Sequence, residues 1–119
     1  RLPDDELLRR AREWQVLKAE AGFAAITWAP EHGGRGGTPM EQVIYAQEEA
    51  RFAVPRGVYE IGLGMCVPTV ITHGTPDQHA RHVAPAVRGE EIWCQLFSEP
   101  AAGSDVAGLR TRAVKDGED

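Results

Sequence analysis

The strongest constraint on this chain is a four-residue pattern that occurs twice. Thr38-Pro39-Met40-Glu41 and Thr75-Pro76-Asp77-Gln78 each place a hydroxyl, then a proline, then a glutamate or glutamine three positions after the threonine. A threonine so placed caps a helix. Its side-chain oxygen accepts a first-turn N–H that has no partner inside the helix, and the glutamate or glutamine accepts the cap's own N–H. Proline suits the first helical position, where its missing N–H removes no bond and its φ is already helical. The two segments therefore predict helices running to about Arg51 and about Arg88, with Pro85 bending or ending the second.

Helical signals continue on both sides. Asp4 to Ala21 carries Leu7, Ala11, Trp14, Leu17 and Ala21 at spacings of three and four, with acids in the first turn and Gly22 as a stop. Val58 to Thr72 is apolar nearly all round, which places a helix in the middle of a bundle, and Pro68 must kink it or restart it. Core packing is the default for its side chains; a groove between helices there would also suit an acyl chain. In the helix after Thr38, Met40, Val43, Ile44 and Gln47 form one stripe, and Glu41, Gln42, Glu48 and Glu49 read as a solvated face. As catalytic carboxylates Glu48 and Glu49 would need a raised pKa, and nothing near them in sequence marks them for one.

Several function classes are set aside. Thirteen basic against eighteen acidic residues give a net charge of −5, which argues against nucleic acid or an anionic membrane as the main partner. No apolar run reaches the ~18 residues a spanning helix needs, and no signal-peptide pattern opens the chain. Cys66 and Cys94, far apart and each in apolar surroundings, read first as buried free thiols of a reducing cytosol; a disulfide between them is the alternative, with no framework around it. The glycines around Arg35 follow no clear strand and lack a G-K-[ST] ending, so they make a connector rather than a phosphate loop. His79 and His82 share a helix face near His73, but the further ligands of a zinc site are missing, and surface histidines are the reading.

Beyond the helices the pattern changes. Ile92 to Phe97 is apolar and aromatic, as in a packed strand, until Glu99-Pro100 ends regular pairing. Ala101-Ala102-Gly103-Ser104 then offers little side-chain bulk, so a ligand can approach the backbone. On residues alone this is a strand exit with a capped turn. Arg110 to Lys115 alternates like a second strand, and Asp116-Gly117 signals a hairpin whose return strand is missing, so the chain is expected to be part of a longer protein.

Gln95-Leu96-Phe97-Ser98-Glu99-Pro100, Gly103-Ser104-Asp105 and Leu109-Arg110-Thr111-Arg112-Ala113 together resemble the signature of the acyl-CoA dehydrogenase family. Gly22-Phe23, Trp28-Ala29-Pro30-Glu31, Gly33-Gly34 and His73 to Gln78 resemble its helical connectors, so the likeness runs from about residue 14 to 119. The resemblance implies a mostly α fold: an N-terminal helical bundle domain over 1–90, followed over 91–119 by the first strands of a β-barrel domain. It implies FAD as cofactor and oxidation of an acyl-CoA thioester to the 2,3-enoyl-CoA. Gln95, Phe97, Ser98, Gly103 and Ser104 would meet the flavin, Ser104 would also lie near the acyl-CoA, and Glu99 would be structural. The family's catalytic glutamate would lie beyond this sequence, so no residue here is a catalytic base. It further implies a flavoprotein electron acceptor, a homo- or hetero-oligomer such as a tetramer, and a cytoplasmic protein. An acyl-CoA oxidase, a flavin monooxygenase or a non-catalytic subunit of the same fold are the alternatives. Two departures stand out: Ser98 replaces the commoner threonine, and Ala101 stands where glycine is usual, a strain if that position needs positive φ.

Overall fold

Four α-helices carry the computed structural model, which describes residues 3–117: α1 (Asp4–Glu20), α2 (Pro39–Glu49), α3 (Val67–His73) and α4 (Pro76–Val87). Both threonine caps form. Thr38 Oγ1 accepts the Glu41 N–H at 3.2 Å and the Glu41 carboxylate accepts the Thr38 N–H at 2.6 Å. Thr75 and Gln78 repeat this at 3.3 and 2.8 Å. α1 and α4 also stop alike. Gly22 and Gly89 take φ of +74° and +75°. The next N–H then reaches back into the helix, Phe23 to the Lys18 carbonyl at 2.7 Å and Glu90 to that of Pro85 at 2.9 Å.

The buried faces differ from the expected stripes. On α1, Ala11 and Gln15 are buried and Trp14 half-buried, while Leu17 and Ala21 face out. A glutamine occupies the core side because its amide donates to the Val87 carbonyl at 2.8 Å, which removes the cost of burying it. Met40, Val43 and Ile44 of α2 are exposed. Glu49 is not on a solvated face: it accepts from the Trp14 indole at 3.0 Å and the Tyr45 hydroxyl at 3.1 Å, with Lys18 Nζ at 3.6 Å. Burial, then the Glu49 charge, push the Tyr45 pKa up.

The apolar segment from Val58 enters a helix only at Glu60 and passes through a π-helical turn, Gly62–Cys66, before α3. Pro68 has no N–H to return to the preceding turn, and the wider turn absorbs the loss, with the Val67 N–H bonding the Gly62 carbonyl. Ile61 and Met65 are consequently exposed, whereas Val67 is wholly buried. Val67, Val83 and Ala86 form the core, with Trp28, Leu63, Ile71 and Trp93 packed against it. The glycine-rich connector folds back to deliver Trp28: a Cβ at Gly34 would lie 2.0 Å from the Trp28 carbonyl oxygen. His79 and His82 are half-buried rather than on the surface. The tight α3–α4 hairpin sets His79 Nε2 2.9 Å from the Val70 oxygen.

Residues 92–97 and 110–115 take no helical form, yet among the described residues neither pairs into a strand. A strand requires a partner for its backbone groups, and no segment described here supplies one. The first strands of a barrel are therefore absent from the described residues. Gly117 has φ of +66°, compatible with a turn, and the end of the expected β segment, Glu118 and Asp119, lies outside the described residues.

Candidate functional site

The stretch after α4 is anchored at its start and free further on. Gly62 admits it: a Cβ there would lie 3.1 Å from Trp93 Cβ, so a residue without a side chain lets the chain lie against the π turn. The Trp93 ring meets His82 edge-on at 5.2 Å, and its Nε1 donates to Glu91 at 3.2 Å. The Cys66 thiol donates to the Cys94 carbonyl at 3.6 Å. Both cysteines are free, as expected, but Cys94 is exposed, because its neighbour Trp93 takes the inward place. Gln95 is half-buried beside a shallow cleft formed with Leu8, Val58, Ile61 and Ile92. Leu96 and Phe97 are 85% and 70% exposed, so past Gln95 the stretch no longer packs on the helices.

The loop then braces itself. Glu99 and Ala102 exchange backbone bonds at 2.9 and 3.0 Å across Pro100-Ala101, and Ala102 is buried. The Glu99 carboxylate turns the other way. It accepts the Arg110 N–H at 2.9 Å, the Thr111 N–H at 3.0 Å and the Thr111 hydroxyl at 2.6 Å. Chiefly the Thr111 hydroxyl, then the Arg110 N–H, hold its pKa below the usual carboxylate range. Asp105 Oδ1 accepts the Gly108 N–H at 3.2 Å and caps a short 3-10 turn, Val106–Gly108. Among the described residues no residue other than glycine has positive φ, so alanine at 101 carries no backbone strain.

Of the residues singled out from sequence, Ser98, Gly103 and Ser104 lie exposed on this one loop, and a Cβ at Gly103 would stand 3.9 Å from Ser98 Oγ. Phe97 is adjacent and presents its ring; Gln95 is set apart at the cleft. Among the described residues the N–H groups of 95–98 donate to no other group. Unused amide donors, two hydroxyls and an exposed aromatic ring suit a flat ligand with apolar faces and hydrogen-bond acceptors at its edge. A separate recess of about 440 Å³ opens between α1, α2 and the π turn, lined by Trp14, Lys18, Glu49, Tyr59, Leu63 and Gly64 among others. Sequence reasoning missed the Glu99–Thr111 contact. A carboxylate and a hydroxyl twelve positions apart belong to no local pattern, so no signal pointed to it.

Comparison with known proteins agrees with this architecture. Residues 4–90 match the family described as acyl-CoA dehydrogenase, N-terminal domain. The chain belongs to the acyl-CoA dehydrogenase family. It is 50% identical over 101 residues to acyl-CoA dehydrogenase FadE34 of Mycobacterium tuberculosis, covering 85% of this chain and 14% of that protein. It is 40% identical over 116 residues to acyl-CoA dehydrogenase IpdE1 of the same organism, covering 97% of this chain and 30% of that protein. Among solved structures, the Tcur3481–Tcur3483 steroid ACAD superposes with a TM-score of 0.76 at 30% identity, over 98% of this chain and 32% of that one. The ChsE4–ChsE5 complex from M. tuberculosis gives 0.70 at 27% identity, over 98% of this chain and 36% of that one. The chain thus spans about a third or less of the length of these relatives.

Proposed function

We propose that the parent protein is an FAD-dependent acyl-CoA dehydrogenase that oxidises an acyl-CoA thioester to the 2,3-enoyl-CoA. The observation that carries this is the family match over 4–90, followed by a loop in which, among the described residues, the N–H groups of 95–98 and the Ser98 and Ser104 hydroxyls donate to no other group. Gln95, Phe97, Ser98, Gly103 and Ser104 would hold the flavin. Ser98 and the free N–H groups would donate to the ring edge, Phe97 would cover apolar surface, and Ser104 would also touch the acyl-CoA. Fixed donors of this kind favour the negative charge that builds on a reduced ring. Bound FAD supplies the hydride acceptor. This chain contributes binding and orientation and no catalytic base.

The residues over 91–117 are read as the start of a β-domain whose partner strands lie elsewhere in the parent. A similar structure named for a steroid supports a bulky acyl group. A flavoprotein would accept the electrons. Free Cys66 and Cys94 support a cytoplasmic setting, and no described helix is long and apolar enough to cross a membrane. The two similar structures carry paired names, which favours a hetero-oligomer and, as a second reading, a subunit of a pair that lacks the base itself.

The test is the visible spectrum of the full-length parent. Bound flavin, bleached by an acyl-CoA in the absence of air, is expected; no flavin and no bleaching with any acyl-CoA refute the reading. Peroxide formed under air would identify an oxidase. A parent sequence with no carboxylate at the family's base position would identify the non-catalytic subunit.

A further inference from the structure

We propose that Glu99 is the positioning residue of the flavin-facing loop: its carboxylate, gripped by the Arg110 N–H, the Thr111 N–H and the Thr111 hydroxyl, sets where Ser98, Gly103 and Ser104 present their donors. The proposal rests on the FAD reading above. Glu99 directly follows Ser98, so fixing its side chain fixes the backbone that carries the hydroxyl. It also opens the turn closed by the Glu99–Ala102 backbone pair, and Gly103 follows that turn at once. One residue therefore controls both arms of the donor set.

Among the described residues, no other side-chain hydrogen bond joins the Ser98 end of the loop to the segment after Leu109. Among the described residues, 92–98 and 109–116 share no ladder, and the carboxylate of Glu99 is what ties the loop to the segment after it. Bonds to an ionised carboxylate are shorter and stronger than neutral ones, and three of them leave the group one orientation. They also commit its lone pairs to the chain's own donors. A loose carboxylate next to Ser98 would instead point negative charge toward a ligand that gains electrons. Glu99 lies away from the core of Val67, Val83 and Ala86, so its contacts shape the loop rather than the bundle.

The test uses the full-length parent with two variants. E99Q keeps the shape but turns an amide donor toward donors; T111V removes the hydroxyl alone and keeps the carboxylate and both backbone bonds. E99Q is expected to weaken FAD binding roughly tenfold or more. It should also shift the absorption maximum and midpoint potential of the flavin that stays bound, while thermal stability of the helical domain holds. T111V should move the same quantities in the same direction by less, and it carries the test if E99Q does not fold. Wild-type affinity, spectrum and potential in the folded variants overturn the proposal, as does a loss of stability with no change in the bound flavin. A flavin-free wild-type parent overturns the cofactor reading and this one with it; flavin-bound wild type with indifferent variants overturns this one alone.

Discussion

Replacing Gln15 by alanine tests how the helical domain aims the stretch that follows it. Gln15 is 1% exposed, and its Nε2 donates to the Val87 carbonyl at 2.8 Å, from α1 to the last turn of α4. Carbonyls in a last turn have no partner within their own helix, so this amide supplies one. The stem also packs under the helix stop: Gln15 Cγ lies 2.8 Å from where a Gly89 Cβ would stand. Alanine removes the donor, leaves the carbonyl buried and opens a void. The unsatisfied carbonyl costs about 1–3 kcal/mol and the lost methylene about 0.8, so the last turn of α4 should loosen by about 2–4 kcal/mol. Hydrogen exchange in the native full-length parent reads this directly. The Arg88, Gly89 and Glu90 amides, which bond the Ala84, Ala86 and Pro85 carbonyls, should exchange about 30-fold faster or more. Q15L keeps the volume without the bond and should recover part of the loss. Unchanged exchange at those three amides in Q15A would refute the reasoning, and a Q15L variant no better than Q15A would remove the packing contribution from it.

The remaining predictions address the connector, the loop and the limits of one chain. G34A, whose Cβ would collide with the Trp28 carbonyl, should lower stability by about 1–3 kcal/mol in a denaturant titration, while G64A, facing open space, should be neutral or gain up to about 1 kcal/mol. Equal effects at the two positions would contradict the backbone approach described. The Glu99 pKa is lowered, so its contribution to loop order is present above the ordinary glutamate value and lost as pH falls through the depressed one. The Arg110 and Thr111 amide resonances should accordingly stay put through the ordinary glutamate range and move only below it; movement at the ordinary value would count against the three bonds. Finally, this 119-residue chain by itself should not retain FAD, since one loop supplies only part of the contacts, and stoichiometric flavin on the purified chain would contradict that.

What was legible in the sequence was what four or five neighbouring residues decide. The starts of α2 and α4 follow from Thr38–Glu41 and Thr75–Gln78, and the stop of α1 from Gly22, which accepts positive φ; the matching role of Gly89 at the end of α4 was not read from the sequence. Faces were harder, because a face is chosen by what packs on it. Leu17 satisfied the helical period as well as Gln15 does, yet the Val87 carbonyl selected Gln15. Glu49 looked solvated until Trp14, Tyr45 and Lys18, from α1 and one turn away, converged on it. Pro68 announced a break but not its form: whether a helix kinks or widens depends on the turn before, here the one holding Gly62 and Gly64. The expected strands rested on composition alone, and among the described residues they do not pair, since pairing is a property of two segments.

The same division runs through the candidate site and gives it a physical meaning. Within residues 98–105, Glu99, Ala102 and Asp105 spend their polar groups on this chain: on the Arg110–Thr111 backbone, on each other across Pro100, and on Gly108. Ser98, Gly103 and Ser104 face outward. A loop braced by polar groups already satisfied within its own chain keeps its shape whether or not a ligand is present, and it loses little further freedom when one arrives. That is the condition under which weak individual donors, a serine hydroxyl and a few amides, bind with useful affinity, because little loop-ordering cost is subtracted from their hydrogen bonds. Ala101 fits the same logic. With the turn closed by its flanking pair at negative φ throughout, the position needs no glycine, and alanine narrows the unfolded ensemble instead. The departure from the family's usual residue is therefore compatible with a firmer loop, provided Glu99 keeps its three donors.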